Sequence, residues 1–204
     1  MIIIIALIKV MQHFTEAVRN RDYGKVSYYV ELKNPSITYL SALLDACEIS
    51  AHNRDDKICK LLIDSFDCCK EALKYIWHKL DINAIEFVLK NGMNVNASFA
   101  TTGTTLVSVI NKYNPDKNYS VASEHDLLII KLLLDYGADI KIGCSGALHL
   151  AILHNDEKLV SLLLKYYDYD VPERIINESQ KYENIHKLLI GHSPMKMTKY
   201  AGKI

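Results

Sequence analysis

The stretch Ile129-Ile130-Lys131-Leu132-Leu133-Leu134-Asp135-Tyr136-Gly137-Ala138-Asp139-Ile140 decides how this chain reads. Its apolar residues recur at helical spacing and stop at a glycine, as at a helix C-terminus that needs a positive φ. Asp139 stands in the turn beyond, where an Asx side chain bonds nearby backbone. Next comes Gly146-Ala147-Leu148-His149-Leu150-Ala151-Ile152-Leu153-His154-Asn155-Asp156-Glu157-Lys158-Leu159-Val160-Ser161-Leu162-Leu163-Leu164. Two apolar runs at helical spacing flank a polar turn there, residues 154–158. The small Ala151 lets the two helices approach closely. The passage describes helix, turn, helix, turn.

Working outward, the same unit recurs. Residues 72–92 align without a gap on residues 147–167, and Gly92 is followed by Asn94 and Asn96 as Gly137 is by Asp139. Ser41-Ala42-Leu43-Leu44-Asp45-Ala46 pairs with a second run, Ile58 to Asp64. Thr104-Thr105-Leu106-Val107-Ser108-Val109 is a further copy. Val171-Pro172-Glu173-Arg174-Ile175-Ile176 with Ile185 to Leu189 closes the series, and Phe14 to Ala17 with Val26 to Val30 opens it. The position of the unit's first leucine runs Phe14, Leu43, Leu73, Leu106, Leu148 and Glu173. The differences between those residue numbers are 29, 30, 33, 42 and 25. Self-similarity at such a period marks a repeat architecture. The 42 contains a polar, proline-bearing insertion, residues 111–120, expected as a solvated loop between the two helices of its unit. Extra residues at 50–55 enlarge the second unit.

One helix pair cannot bury its apolar face alone, so neighbours must stack. The expected organisation is an all-α array over residues 12–191, with units near 12–34, 38–67, 70–97, 103–142, 145–170 and 172–191. An apolar extension, 1–11, precedes it and a basic tail, 192–204, follows. End units need polar outer faces. Gln12, Glu16, Arg19 and Arg21 at the front, and Glu173, Arg174, Glu178 and Lys181 at the back, meet that need.

The tokens Leu148-His149-x-Ala151 and Leu133 to Ile140 resemble the ankyrin repeat, which reads G-x-T-P-L-H-x-A-A, a turn, then V-V-x-L-L-L-x-x-G-A-D-V-N. The resemblance implies an ankyrin-repeat solenoid of about six degenerate helix-pair repeats. The lean toward Ile, Asn, Lys and Tyr, with 13 Tyr, suits AT-rich coding. Together with Lys131 to Ile140 it looks like the poxvirus ankyrin-repeat family. That resemblance implies a non-enzymatic protein-protein interaction module in the host cytoplasm. It would bind a host protein and dampen innate signalling of the NF-κB type. Many poxviral relatives recruit a cullin-RING ubiquitin ligase through a C-terminal F-box-like segment. Thirteen residues follow Gly191, fewer than such a segment needs, so a short form without ligase subunits is expected. The alternative is a truncated remnant of a longer ankyrin/F-box adaptor with little function of its own. Contact residues do not transfer, because the family shares its scaffold and not its sites.

Composition narrows the chemistry. Lys and Arg number 24, Asp and Glu 24, and the pI is about 7.1. A neutral chain is poorly suited to the many phosphate contacts of nucleic-acid binding. With 8 Gly and 4 Pro it lacks the turn residues of an all-β fold. Cys47, Cys59, Cys68, Cys69 and Cys144 are odd in number, without regular spacing, and make a poor disulfide framework. A reducing compartment is expected. Cys68-Cys69 with His78 falls short of four zinc ligands at workable spacing, so no metal and no cofactor are expected. The apolar run Ile2 to Ile8 is far shorter than the about twenty residues of a membrane span. It has no basic region or cleavage site of a signal peptide. It reads either as a strand or helix extension covering the first unit, or as residues upstream of a start at Met11. The aggregation hazard of four exposed isoleucines favours the latter.

No phosphate loop, H-E-x-x-H or G-x-S-x-G occurs, so no enzyme is expected. His149, beside Cys144 and Ser145, is assigned to the hydrogen bonds of the repeat's turn; Gly146 at the Thr position removes one of them. Trp77, Tyr75 and Phe87, aromatic at helical spacing, are assigned to the core. Partner contacts are expected on turn tips and on the face of the first helices, at Asn96, Phe99, Thr101, Lys141, Tyr167 and Tyr169. Tyr166-Tyr167-Asp168-Tyr169-Asp170 occupies a turn tip, and Tyr is a preferred contact residue. Alternatively, those tyrosines fill the space of a shortened turn. The tail 193–204 carries three Lys and no acid and reads as a solvated end.

Overall fold

A computed structural model describes residues 2–32, 39–48, 56–66, 73, 77–79, 81–99, 103–111, 123–142 and 146–192. They are mostly helical, as expected. The chain falls into two compact units, residues 1–98 and 99–204.

In the first unit, α1 (Ile2–Arg19) is followed by α2 (Tyr23–Glu31), α3 (Tyr39–Glu48), α4 (Asp56–Ser65) and α5 (Ile82–Lys90). Helix α1 packs on α2, and α3 on α4, so each pair closes on itself. Helix α1 also packs on α3, and α4 on both α2 and α5, so first helices form one layer and second helices another. The leading positions Phe14, Leu43 and Leu73 are fully buried, as are Ala17 and Ala46 three residues on from the first two. Those alanines hold little volume, which lets α1 and α3 approach their partners closely. Of the three aromatics assigned to the core, Trp77 is buried in a 3-10 turn (Trp77–Lys79), Phe87 is half-buried and Tyr75 lies outside the described residues. The apolar run near the N-terminus is helical and continuous with the rest of α1.

The second unit contains α6 (Thr105–Asn111), α7 (Glu124–Asp135), α8 (Ala147–Leu153), α9 (Glu157–Leu164), α10 (Glu173–Glu178) and α11 (Glu183–Ile190). A two-stranded ribbon of β1 (Ser98–Phe99) and β2 (Gly103–Thr104) precedes α6. Sequence patterning does not announce it, because strands of two residues carry no periodicity. Again α6 packs on α7, α8 on α9 and α10 on α11; α6 also packs on α8, and α9 on α11. Leu106, Leu148, Val109 and Ala151 fill the core. In the last pair Glu173, at the leading position, is exposed, in keeping with the polar outer face of an end unit, and Ile175 is the buried residue of that turn. Pro172 sets the entry to α10, and placing Glu173 in the core would bury an unpaired carboxylate.

The helix ends are explained residue by residue. Gly92 and Gly137 have φ of 86° and 83° just past α5 and α7, the region an L side chain occupies only at a cost. Beyond each, an Asx turn forms: Asn96 N–H donates to Asn94 Oδ1 at 2.9 Å, and Lys141 N–H to Asp139 Oδ1 at 2.8 Å. Asp22, Asp81, Ser123 and Asp156 cap α2, α5, α7 and α9, each accepting a backbone N–H three residues on. Of the insertion 111–120, Asn111 is the last residue of α6 and 112–120 lie outside the described residues, as do 50–55 and 193–204. Among the described residues, no helix is long and apolar enough to cross a membrane.

Candidate interaction surface

Two successive turns of the second unit build one surface. The first follows α7 and is held by the Asp139 side chain and by Ala147 N–H donating to Ile140 O at 3.0 Å. It leaves Lys141 and Ile142 exposed. The second follows α9, where Tyr166 and Tyr167 N–H groups donate to Leu163 and Leu164 carbonyls. It carries Asp168 to Asp170 outward.

Lys141 Nζ lies 2.7 Å from the centroid of the Tyr169 ring, a cation–π contact between the two turns. Tyr169 is 51% exposed and stands edge-to-face with Tyr167 at 6.3 Å. Tyr167 is half-buried and meets the His192 ring edge-on at 6.1 Å, while His192 Nε2 lies 3.0 Å from Tyr167 O. Burial, aided by the nearby Asp168 charge, pushes the Tyr167 phenol above its ordinary value. Like any tyrosine, it keeps its proton near neutrality and can donate. Tyr166 turns back onto α7 instead, its OH donating to Asp135 Oδ1 at 2.6 Å. Both readings of the tyrosine run thus find a residue. Tyr166 fills and braces the turn, and Tyr169 is presented to solvent.

A groove of about 240 Å³ adjoins this cluster and shares Lys141 and Tyr167 with it. Leu148 and Ile175 contribute apolar walls, and His149 and Arg174 polar ones. Glu178 braces both: its Oε2 lies 2.9 Å from His149 Nε2, and its Oε1 3.5 Å from Arg174. His149 Nε2 thus faces α10 rather than holding its own turn, while its Nδ1, like the Glu178 Oε2 it faces, is buried without a hydrogen bond. Gly146 caps α8 without a side-chain bond, as the missing Thr implied. Cationic tips around an apolar floor suit an extended protein segment that offers carbonyl or carboxylate oxygens.

Of the six expected contact residues, the structure brings Lys141, Tyr167 and Tyr169 together. Asn96 belongs to the other unit and is half-buried in its Asx turn. Phe99 is placed by its backbone in β1, and Thr101 lies outside the described residues. His149, Arg174 and Glu178 were not expected at a surface of this kind. A signal existed: matching Leu148 with Glu173 puts His149 and Arg174 at the same position of the first helices, α8 and α10, of consecutive pairs. His192 had no such signal, because its role depends on packing across 25 residues of chain. Among the described residues, no group of three or more His, Cys, Asp or Glu could share a metal ion. No family model, no curated protein and no solved structure matches the chain.

Proposed function

We propose that this chain is an ankyrin-repeat interaction module that binds a host protein through the Lys141–Tyr167–Tyr169 surface. The repeat reading is supported by recurrence at the level of single positions. Phe14, Leu43, Leu106 and Leu148 are each buried, and each is followed three residues on by a buried Ala or Val. Two glycines at positive φ are each followed by an Asx turn. The observation that carries the functional reading is the exposed Tyr169, oriented by Lys141 on one side and Tyr167 on the other. Aromatic anchors held before binding lose little side-chain entropy on association, which is how a few residues come to dominate an interface.

In this reading the module is non-enzymatic and uses no cofactor. It resembles the poxvirus ankyrin proteins in the wording of its repeats, which points to the host cytoplasm and to a target in innate signalling of the NF-κB type. The experiment is affinity purification from transfected mammalian cells. It compares the wild type with Tyr169→Ala/Lys141→Glu, whose fold is checked by circular dichroism. The expected result is one signalling protein retained by the wild type and reduced about tenfold or more by the variant, the loss of a single hot spot. Equal recovery by both chains would place the contact elsewhere. Recovery of cullin-ligase subunits would favour the adaptor reading, and recovery of chaperones alone the remnant reading.

A further inference from the structure

We propose that Cys47 and Cys59 form a dithiol poised to close into an intramolecular disulfide that locks α3 to α4 when the chain meets a hydroperoxide. Their sulfur atoms are 3.1 Å apart, and both residues are buried, Cys47 at 4% exposure and Cys59 at 0%. They sit on the facing sides of one helix pair, in helices that pack directly on each other. A disulfide needs its sulfurs at about 2 Å. The remaining distance of about 1 Å is small enough to be closed by side-chain rotation without parting the helices. Both residues are reduced in the structure, and the contact is a thiol–thiol one in which either sulfur can donate.

The chemistry balances with hydrogen peroxide as oxidant. The sulfur of Cys47, the residue with the greater exposure, attacks one peroxide oxygen as it gives up its proton, in thiolate form. An S–O bond forms, the O–O bond breaks, and the departing hydroxide takes the thiol proton to leave as water. The Cys59 sulfur then attacks the Cys47 sulfenic acid. The S–S bond forms, the S–O bond breaks, and the hydroxyl leaves with the Cys59 proton as a second water. Burial protects the sulfenic acid from bulkier thiols while its intramolecular partner stands beside it, so closure outpaces capture from outside. The link would remove chain entropy from the opened state and so hold the α3–α4 pair shut. This inference stands apart from the interaction reading, which rests on the other unit.

The test uses the full wild-type chain, reduced and then exposed briefly to equimolar hydrogen peroxide. Digestion without reductant and mass spectrometry map the link. The expected product is monomeric, lighter by two hydrogens and linked Cys47 to Cys59. Its thermal midpoint should rise by about 5 °C or more and return on treatment with dithiothreitol. A Cys68→Ser/Cys69→Ser/Cys144→Ser variant should keep both the link and the shift. Links that map to Cys68, Cys69 or Cys144, dimers between chains, or a Cys47 trapped as sulfenic acid with no link would each overturn the proposal. If the triple variant does not fold, the wild-type map decides.

Discussion

Tyr166 shows how much one side chain carries across a turn. Its hydroxyl donates to Asp135 Oδ1, while Lys131 Nζ holds Asp135 Oδ2 at 2.6 Å from one turn back on α7. Burial acts to raise the Asp135 carboxyl, but the hydrogen bonds from Lys131 and Tyr166 outweigh it and leave the group below its ordinary 3.8. A carboxyl lowered by folding contributes stability in full above its unfolded value and loses it as pH falls through the folded one. Tyr166→Phe should therefore cost about 1 kcal/mol near neutrality and soften the acid limb of the stability profile, as read by urea denaturation. His154 has the opposite chemistry with a similar outcome. Burial lowers it below 6.5 against the pull of Asp156, and its Nδ1 has no hydrogen-bond partner. The unfolded chain then takes up this proton first, so stability is full above the ordinary histidine value and declines as pH falls below it. His154→Gln should flatten that decline, measured as denaturation midpoints on either side of pH 6.5.

At the scale of elements, two glycines with nearly equal backbone angles separate what sequence reveals from what packing adds. Gly137 has φ of 83°, and a Cβ there would meet nothing within 4 Å. Gly103 has φ of 82°, and a Cβ there would lie 3.0 Å from Val107 Cγ1 and 3.2 Å from Val107 Cβ. Gly137→Ala should cost the left-handed backbone alone, about 1–2 kcal/mol. Gly103→Ala should add a clash with a buried side chain, for a further 1 kcal/mol or so. Thermal melts of the two variants give the comparison, and equal costs would contradict it. Gly137 was legible because it ends an apolar run at helical period. Gly103 was not, because its constraint is the position of Val107 in the following helix. The same division explains the last pair, where the polar outer face with Glu173 was legible and packing selected Ile175 for the core.

Across the whole molecule, the two compact units predict that damage stays local. Leu133 is fully buried in the second unit, and Leu133→Ala should cost about 2–5 kcal/mol through the cavity it leaves. Hydrogen exchange should then rise over residues 123–192 well before it rises over 2–32 and 81–97. Uniform loss of protection would mean that the units unfold together. The sequence by itself determined the helices, the glycines that end two of them and the leading core positions. Each of these follows from local periodicity or from one residue's backbone preference. It also named Lys141, Tyr167 and Tyr169 as candidate contacts, beside Asn96, Phe99 and Thr101. Only the tertiary structure decided that Lys141, Tyr167 and Tyr169 meet, that Tyr166 turns back onto Asp135, and that His149 and Arg174 share Glu178. It alone put Cys47 beside Cys59. Those contacts join residues far apart in the chain, and their partners are chosen by how helix pairs stack, which no local pattern encodes.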